Sequence, residues 1–262
     1  MTTRPTVLIT GASTGIGAVY AERFAQRGHA LVLVARDHSR LETLAATLRG
    51  EHNVAIEVLP ADLTQLSDLH IVEARLRDDE RIGILVNNAG AAQSGHFIEQ
   101  STDSVAQLVA LNTTALVRLA SAIAPRLAKA GEGAIINIGS VVGLAPEFGM
   151  SVYGATKAFV LFLSQGLSLE LSPQGVYVQA VLPAATRTEI WGRAGIDINT
   201  LSEIMEVGDL VDAALVGFDR REPVTIPPLQ EGERWDALQA ARQGLLSQIR
   251  QSAVAQRYLT QA

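Results

Sequence analysis

The chain has 262 residues, 48% of them hydrophobic and 18% charged, a globular balance that excludes disorder. A formal net charge of −6 excludes the basic footprint of a nucleic-acid binder. Cysteine is absent, which excludes disulfides, cysteine-ligated zinc and a thiol nucleophile.

In chain order, short apolar runs alternate with longer segments of helical spacing. Met1-Thr2-Thr3-Arg4-Pro5 leads into an apolar strand without the apolar core of a signal peptide. Thr6–Thr10 reads as a buried strand, Ile16–Arg27 as a helix closed by Gly28, and Ala30–Ala35 as the second strand. Ser39–Leu48 reads as helix, Val54–Leu59 as a strand ended by Pro60, and Leu66–Asp79 as helix. Then follow a strand at Ile82–Val86, one long helix at Ser101–Lys129, a strand at Ala134–Ile138 and a second long helix at Ser151–Leu171. Val176–Leu182 reads as strand, Asp209–Phe218 as a short helix and Pro223–Ile226 as a last strand. The tail, about 230–262, is expected to be helical, with Trp235, Leu238, Leu245, Leu246 and Ile249 as an apolar stripe for packing or subunit contact.

Strands that are apolar almost throughout, separated by helices, imply a parallel sheet covered on both faces: a three-layer, doubly wound α/β fold. Such sheets bind ligands at the carboxyl ends of their strands. No linker or repeat divides the chain, so a single domain over residues 1–262 is expected. Uninterrupted apolar runs fall short of a membrane span, and a soluble cytoplasmic protein without membrane or nucleic-acid partners is expected. His29, His38, His52, His70 and His96 are too dispersed for a local metal motif, and no metal is expected.

Thr10-Gly11-Ala12-Ser13-Thr14-Gly15-Ile16-Gly17 lies between the first strand and the first helix. Gly11 permits a tight turn, Gly15 lets backbone approach a pyrophosphate, and Gly17 lets the helix pack closely. The helix N-terminus offers free N–H groups to phosphate. Tyr153 and Lys157, four apart, share one face of a helix. A nearby ammonium favours a phenolate, lowering a pKa that is otherwise near ~10 and too high for a base at neutral pH.

The glycine turn, Asn87-Asn88-Ala89-Gly90 and Tyr153-Gly154-Ala155-Thr156-Lys157 together resemble the short-chain dehydrogenase/reductase family, over roughly residues 5–190. The resemblance implies a Rossmann-like sheet of about seven parallel strands, a bound dinucleotide, and assembly as a homodimer or homotetramer. It implies hydride transfer between a nicotinamide and a carbonyl or alcohol substrate, with Tyr153 as general acid/base. Ser140 matches the serine that bonds the substrate oxygen. Lys157 matches the lysine that also holds the nicotinamide ribose. Asn112 matches an asparagine that links the lysine to solvent through water; an asparagine inside a long apolar helix is itself unfavourable by propensity.

For the cofactor, the resemblance implies contacts from Gly11, Ser13, Thr14, Gly15, Ile16 and Gly17, and adenine contacts from Asp62 and Leu63. Asn87, Ala89 and Gly90 are candidates for the adenine-ribose side, with a purely structural role open for Asn88 and Gly90. Pro183, Ala185 and Thr188 are expected at the nicotinamide carboxamide. The family usually has glycine after that proline, and Ala184 here puts the local backbone path in question. Arg36, assisted by Arg40, favours NADP(H) over NAD(H), with Asp37 as the competing feature that would bind a ribose hydroxyl.

A substrate loop is expected over about 189–206, carrying Ile190, Trp191 and Ile196, with Val142 and Phe148 on a second wall and His96 and Phe97 nearby. These side chains suit an apolar ketone, aldehyde or alcohol. Arg187 and Arg193 are the available carboxylate clamps. Two other readings share the scaffold: a non-catalytic dinucleotide-binding regulator, and an epimerase or dehydratase.

Overall fold

The computed structural model describes residues 4–259 except Ile196, and at Arg193 the backbone only. The expectations placed on Met1–Thr3, Ile196, the Arg193 side chain and the end of the tail lie outside the described residues. The described chain forms two compact units, Met1–Pro227 and Pro228–Ala262.

In the first unit seven parallel strands form one sheet: β1 (Thr6–Thr10), β2 (Leu31–Ala35), β3 (Ile56–Pro60), β4 (Ile82–Asn87), β5 (Ala134–Ile138), β6 (Tyr177–Val181) and β7 (Val224–Thr225), in the order β3-β2-β1-β4-β5-β6-β7. The helices are α1 (Gly15–Gln26), α2 (His38–His52), α3 (Leu66–Asp78), α4 (Thr102–Val109), α5 (Leu116–Ala130), α6 (Ser151–Leu171), the short α7 (Ile190–Arg193) and α8 (Val207–Asp219). β1, β5 and β6 are buried at every position, because helices cover both faces. Their alternate residues feed two separate cores. Val7 and Ile9 pack with Tyr20, Phe24 and Leu210 on one face; Leu8 packs with Leu76, Leu119 and Ile123 on the other.

Strand order reverses between β1 and β4, so this is the switch point where a ligand crevice opens. Two polar groups fix it. Thr10 Oγ1 accepts from the backbone N–H groups of Asn88 and Ala89, both at 3.0 Å, and Asn88 Nδ2 donates to Thr10 O at 2.9 Å.

Three element boundaries differ from expectation for identifiable reasons. α2 runs through Gly50 and stops at Asn53, whose left-handed backbone (φ 52°) ends it. Pro60 is the last residue of β3 and does not precede its end; β3 is an edge strand, where a missing N–H costs little. The helix expected at Ser101–Lys129 is continuous over Thr102–Ala130 but winds as a π-helix between α4 and α5, at Ala110–Ala115. By length and composition alone it could cross a membrane. Its residues Leu116, Leu119, Ala120, Ile123 and Leu127 are instead buried in the core.

Among the described residues, the second unit contains one α-helix, α9 (Gly232–Ile249), on which Leu238, Leu245, Leu246 and Ile249 are exposed.

Behind the switch point, a buried polar chain joins two strands to a helix. Asn87 Nδ2 donates to Asn137 Oδ1 at 3.0 Å, Asn137 Nδ2 donates to Ser164 Oγ at 2.9 Å, and Ser164 Oγ donates to Val160 O at 2.7 Å. Asn137→Ala strands partners at both ends. It should lower unfolding stability by about 2–3 kcal/mol, read as a lower urea midpoint at unchanged slope.

Candidate active site

The carboxyl end of β5 hands the chain to Ser140, whose Oγ donates to Pro183 O at 3.3 Å and accepts from Val142 N at 3.2 Å. Facing it is Tyr153, in the first turn of α6, its phenol close enough to Ser140 to feel that hydroxyl. Lys157 lies one turn further along α6. Its Nζ donates to Ile138 O at 2.9 Å and stands 5.7 Å from the centre of the Tyr153 ring.

The electrostatics depart from the simple expectation. Burial pushes the Tyr153 phenol up, and the Ser140 hydroxyl pulls it down by less. Burial also holds Lys157 down at about 8. The ammonium is thus itself disfavoured, and desolvation decides the tyrosine's state. At neutral pH the phenol keeps its proton and is set to donate it.

Asn112 is buried within the π-helical turn. Its Oδ1 accepts from Ala91 N and its Nδ2 donates to Ala91 O, both at 2.9 Å; Nδ2 also donates to Thr156 Oγ1 at 3.1 Å. Thr156 Oγ1 in turn donates to Tyr153 O at 2.7 Å. Asn112 therefore clips the loop after β4 onto α6. Gly90 sits between the two groups: a β-carbon there would stand 3.2 Å from Asn112 Oδ1 and 3.6 Å from Lys157 Nζ. Ser140, Tyr153, Lys157 and Asn112 are thus brought together. The part of Thr156 was missed in sequence, where it is only an interior letter of the Tyr-Lys motif.

The glycine turn fits a dinucleotide. A β-carbon on Gly17 would lie 2.3 Å from Gly11 O, so the first turn of α1 rests on the turn itself. Gly11 and Gly15 have positive φ, 64° and 56°. Thr14, the N-cap of α1, makes no side-chain cap, which leaves the helix N-terminus to an anion. Ser13, Thr14 and Ile16 are partly exposed along this edge.

The remaining candidates divide. Arg36 is exposed at the end of β2 and makes no hydrogen bond or ion pair among the described residues. Asp37 caps α2, accepting from Arg40 N at 3.0 Å. Asp62 Oδ1 accepts from Thr64 N and Thr64 Oγ1, closing a turn, and Leu63 is buried in the core. Asn87 Nδ2 is engaged in the buried chain described above, and its Oδ1 is buried without a partner. Pro183 O receives both Ser140 Oγ and Val141 N. Ala184 is not among the residues of positive φ, so alanine brings no left-handed backbone strain there. Ala185 O accepts from Met205 N, and Thr188 lies against Gly15.

Of the substrate candidates, Val142 packs beside Ser140, and Trp191 Nε1 donates to Thr186 O at 2.8 Å. Ile190 is partly buried, whereas Phe148 and Phe97 are exposed. Arg187 is paired with Glu206 at 2.7 Å and is not a free carboxylate clamp.

A family model described as short chain dehydrogenase matches residues 5–198. A short-chain dehydrogenase from Sphingobium yanoikuyae, solved in complex with NADPH, is 72% identical, with a TM-score of 0.96 over 97% of this chain and 100% of that one. A bulky-bulky ketone specific alcohol dehydrogenase from Comamonas testosteroni is 63% identical, with a TM-score of 0.93 over 99% and 100%. A very-long-chain 3-oxoacyl-CoA reductase-A from Danio rerio is 33% identical over 187 residues, 70% of this chain and 58% of the relative. The chain thus spans about three fifths of the length of the curated very-long-chain reductases it matches.

Burying Lys157 as an ammonium opposes folding. Its folded pKa of about 8 lies below the ordinary 10.5, so the penalty is fully present below pH 8 and shrinks as pH rises toward 10.5. Lys157→Met should therefore stabilise the ligand-free protein by about 2 kcal/mol at neutral pH, net of the lost hydrogen bond to Ile138. That gain should fade between the two pKa values, as read by urea midpoints across the pH range.

Proposed function

The chain belongs to the short-chain dehydrogenase family, and from that premise we propose that it is an NADPH-linked oxidoreductase interconverting a ketone or aldehyde with an alcohol. The observation that carries this reading is the approach of Ser140 and Tyr153 beside a buried Lys157, at the carboxyl end of β5. A non-catalytic binding protein has no use for a buried phenol facing a serine hydroxyl, and nothing at the site favours epimerisation or dehydration.

The nicotinamide of a dinucleotide held along the glycine turn would supply or accept the hydride. The protein's own residues manage the substrate oxygen. Ser140 Oγ, whose own proton is engaged only in a 3.3 Å bond to Pro183 O, can turn its hydroxyl to that oxygen. Tyr153 passes its proton to the developing alkoxide, and its raised pKa suits it to carbonyl reduction near neutral pH. Lys157 keeps a positive charge beside the ring. Asn112 and Thr156 hold α6 and the loop after β4 in register.

The 2′-phosphate preference is supported by Arg36, a free cation at the end of β2, and by Asp37, which is occupied as a helix cap. The NADPH-bound relative at 72% identity agrees with it. For substrate we propose a ketone with bulky apolar groups. Leu144, Phe148 and Phe97 leave apolar surface open, Arg187 is paired, and the 63% identical relative is bulky-bulky ketone specific. Exposed Phe159, Phe162 and Leu169 on α6 support a homodimer or homotetramer. The core packing of the Thr102–Ala130 helix supports a soluble, cytoplasmic enzyme.

Bulky ketones should consume NADPH in the presence of the protein, followed by absorbance of the reduced nicotinamide. Tyr153→Phe should cut turnover about 10²–10⁴-fold while leaving NADPH affinity within about twofold; full turnover in that variant excludes the mechanism. Arg36→Ala should weaken NADPH about tenfold and NADH little, and equal losses for both would refute the 2′-phosphate assignment.

A further inference from the structure

Residues 186–190 lead away from the end of β6, and side-chain contacts tie them to the cofactor edge. Thr188 lies against the glycine turn: a β-carbon on Gly15 would stand 3.2 Å from Thr188 Cγ2. The next residue, Glu189, reaches α2, where both its carboxylate oxygens accept from Arg40 Nη1, at 3.0 and 2.9 Å. Asp37 Oδ2 lies 3.5 Å from Arg40 Nε on the other side. The start of the substrate loop is therefore fastened to the arginine in the first turn of α2, four residues after Arg36.

On the NADPH reading above, Arg36 and Arg40 are the cations that meet a 2′-phosphate. Glu189 is then an internal anion already seated on one of them. The Arg40–Glu189 pair is half exposed on both sides, and exposed ion pairs contribute little net free energy. A phosphate dianion offers more charge and three acceptor oxygens, so it displaces a carboxylate from a guanidinium. Once seated, it also repels the carboxylate it has displaced.

We propose that Glu189 is a cofactor-specificity residue: its carboxylate competes with the 2′-phosphate for Arg40, and seating of the phosphate undoes this one tie between the start of the substrate loop and α2. Arrival of the phosphorylated cofactor is then felt by the segment that carries Ile190 and Trp191. The indole of Trp191 donates to Thr186 O at 2.8 Å, inside this same segment, and reports on it. The proposal rests on the NADPH reading and adds to it a determinant from outside α2.

Adenosine 2′,5′-bisphosphate carries the 2′-phosphate without a nicotinamide, and adenosine 5′-monophosphate lacks it. Both are titrated by calorimetry into the full chain and into Glu189→Gln. The variant should bind the bisphosphate about threefold or more tightly, and the monophosphate with unchanged affinity. With Trp235→Phe as background, the bisphosphate should shift Trp191 emission. Glu189→Gln should show the shifted emission before ligand is added. Equal or weaker bisphosphate binding by the variant overturns the proposal, as does Trp191 emission that ignores the bisphosphate. Should the unsubstituted chain fail to prefer the bisphosphate over the monophosphate, the 2′-phosphate reading itself falls, and the proposal with it.

Discussion

Lys157 sets an ammonium inside the layer between α6 and the sheet, where desolvation disfavours charge, and holds it on the carbonyl of Ile138. That arrangement survives only because the surroundings allow no retreat. Asn112 and Thr156 lock the loop after β4 to α6 beside it, and the buried chain from Asn87 through Asn137 to Ser164 holds β4, β5 and α6 at fixed separations. Much of the polar structure in this half of the molecule is thus a frame around one unfavourable charge. In return, a cation stands beside a phenol that burial keeps protonated, a pairing that water would screen at an open surface.

The cofactor edge is built on a different principle, close approach of backbone. The first turn of α1 rests on Gly11, and the segment after β4 is stitched to Thr10 by three hydrogen bonds. Charge enters only at the rim, through Arg36 and Arg40. The two halves of the site meet where the strand order reverses, so a ligand lying across the crevice is gripped by backbone at one end and by buried side chains at the other.

Much of this could be read from the residues. Strand positions were legible because a doubly covered parallel sheet demands unbroken apolar runs, and β1, β5 and α6 fall where those runs and spacings place them. Ser140, Tyr153, Lys157 and Asn112 were legible through motif spacing. The hidden parts were those that depend on packing. Asn53 ends α2 by adopting a left-handed backbone, which no local signal distinguishes from Gly50 nearby. The balance of charges at Tyr153 was misjudged, because spacing reveals that a lysine is near but not how dry the site is. The Arg40–Glu189 pair joins residues 149 apart in sequence, and only the fold brings them together.

The π-helical turn at Ala110–Ala115 has a meaning beyond the placement of Asn112. One extra residue in a turn advances everything after it by about 100° around the axis. α4 and α5 therefore share one rod yet differ in azimuth, α4 turned toward α6 and α5 toward α3 and the core on that face of the sheet. The rod works as a phase shifter: a single unbroken element serves two differently oriented contact surfaces without a loop between them. Its apolar stripe reads as one long, loosely periodic helix because it is two stripes spliced out of phase at the asparagine.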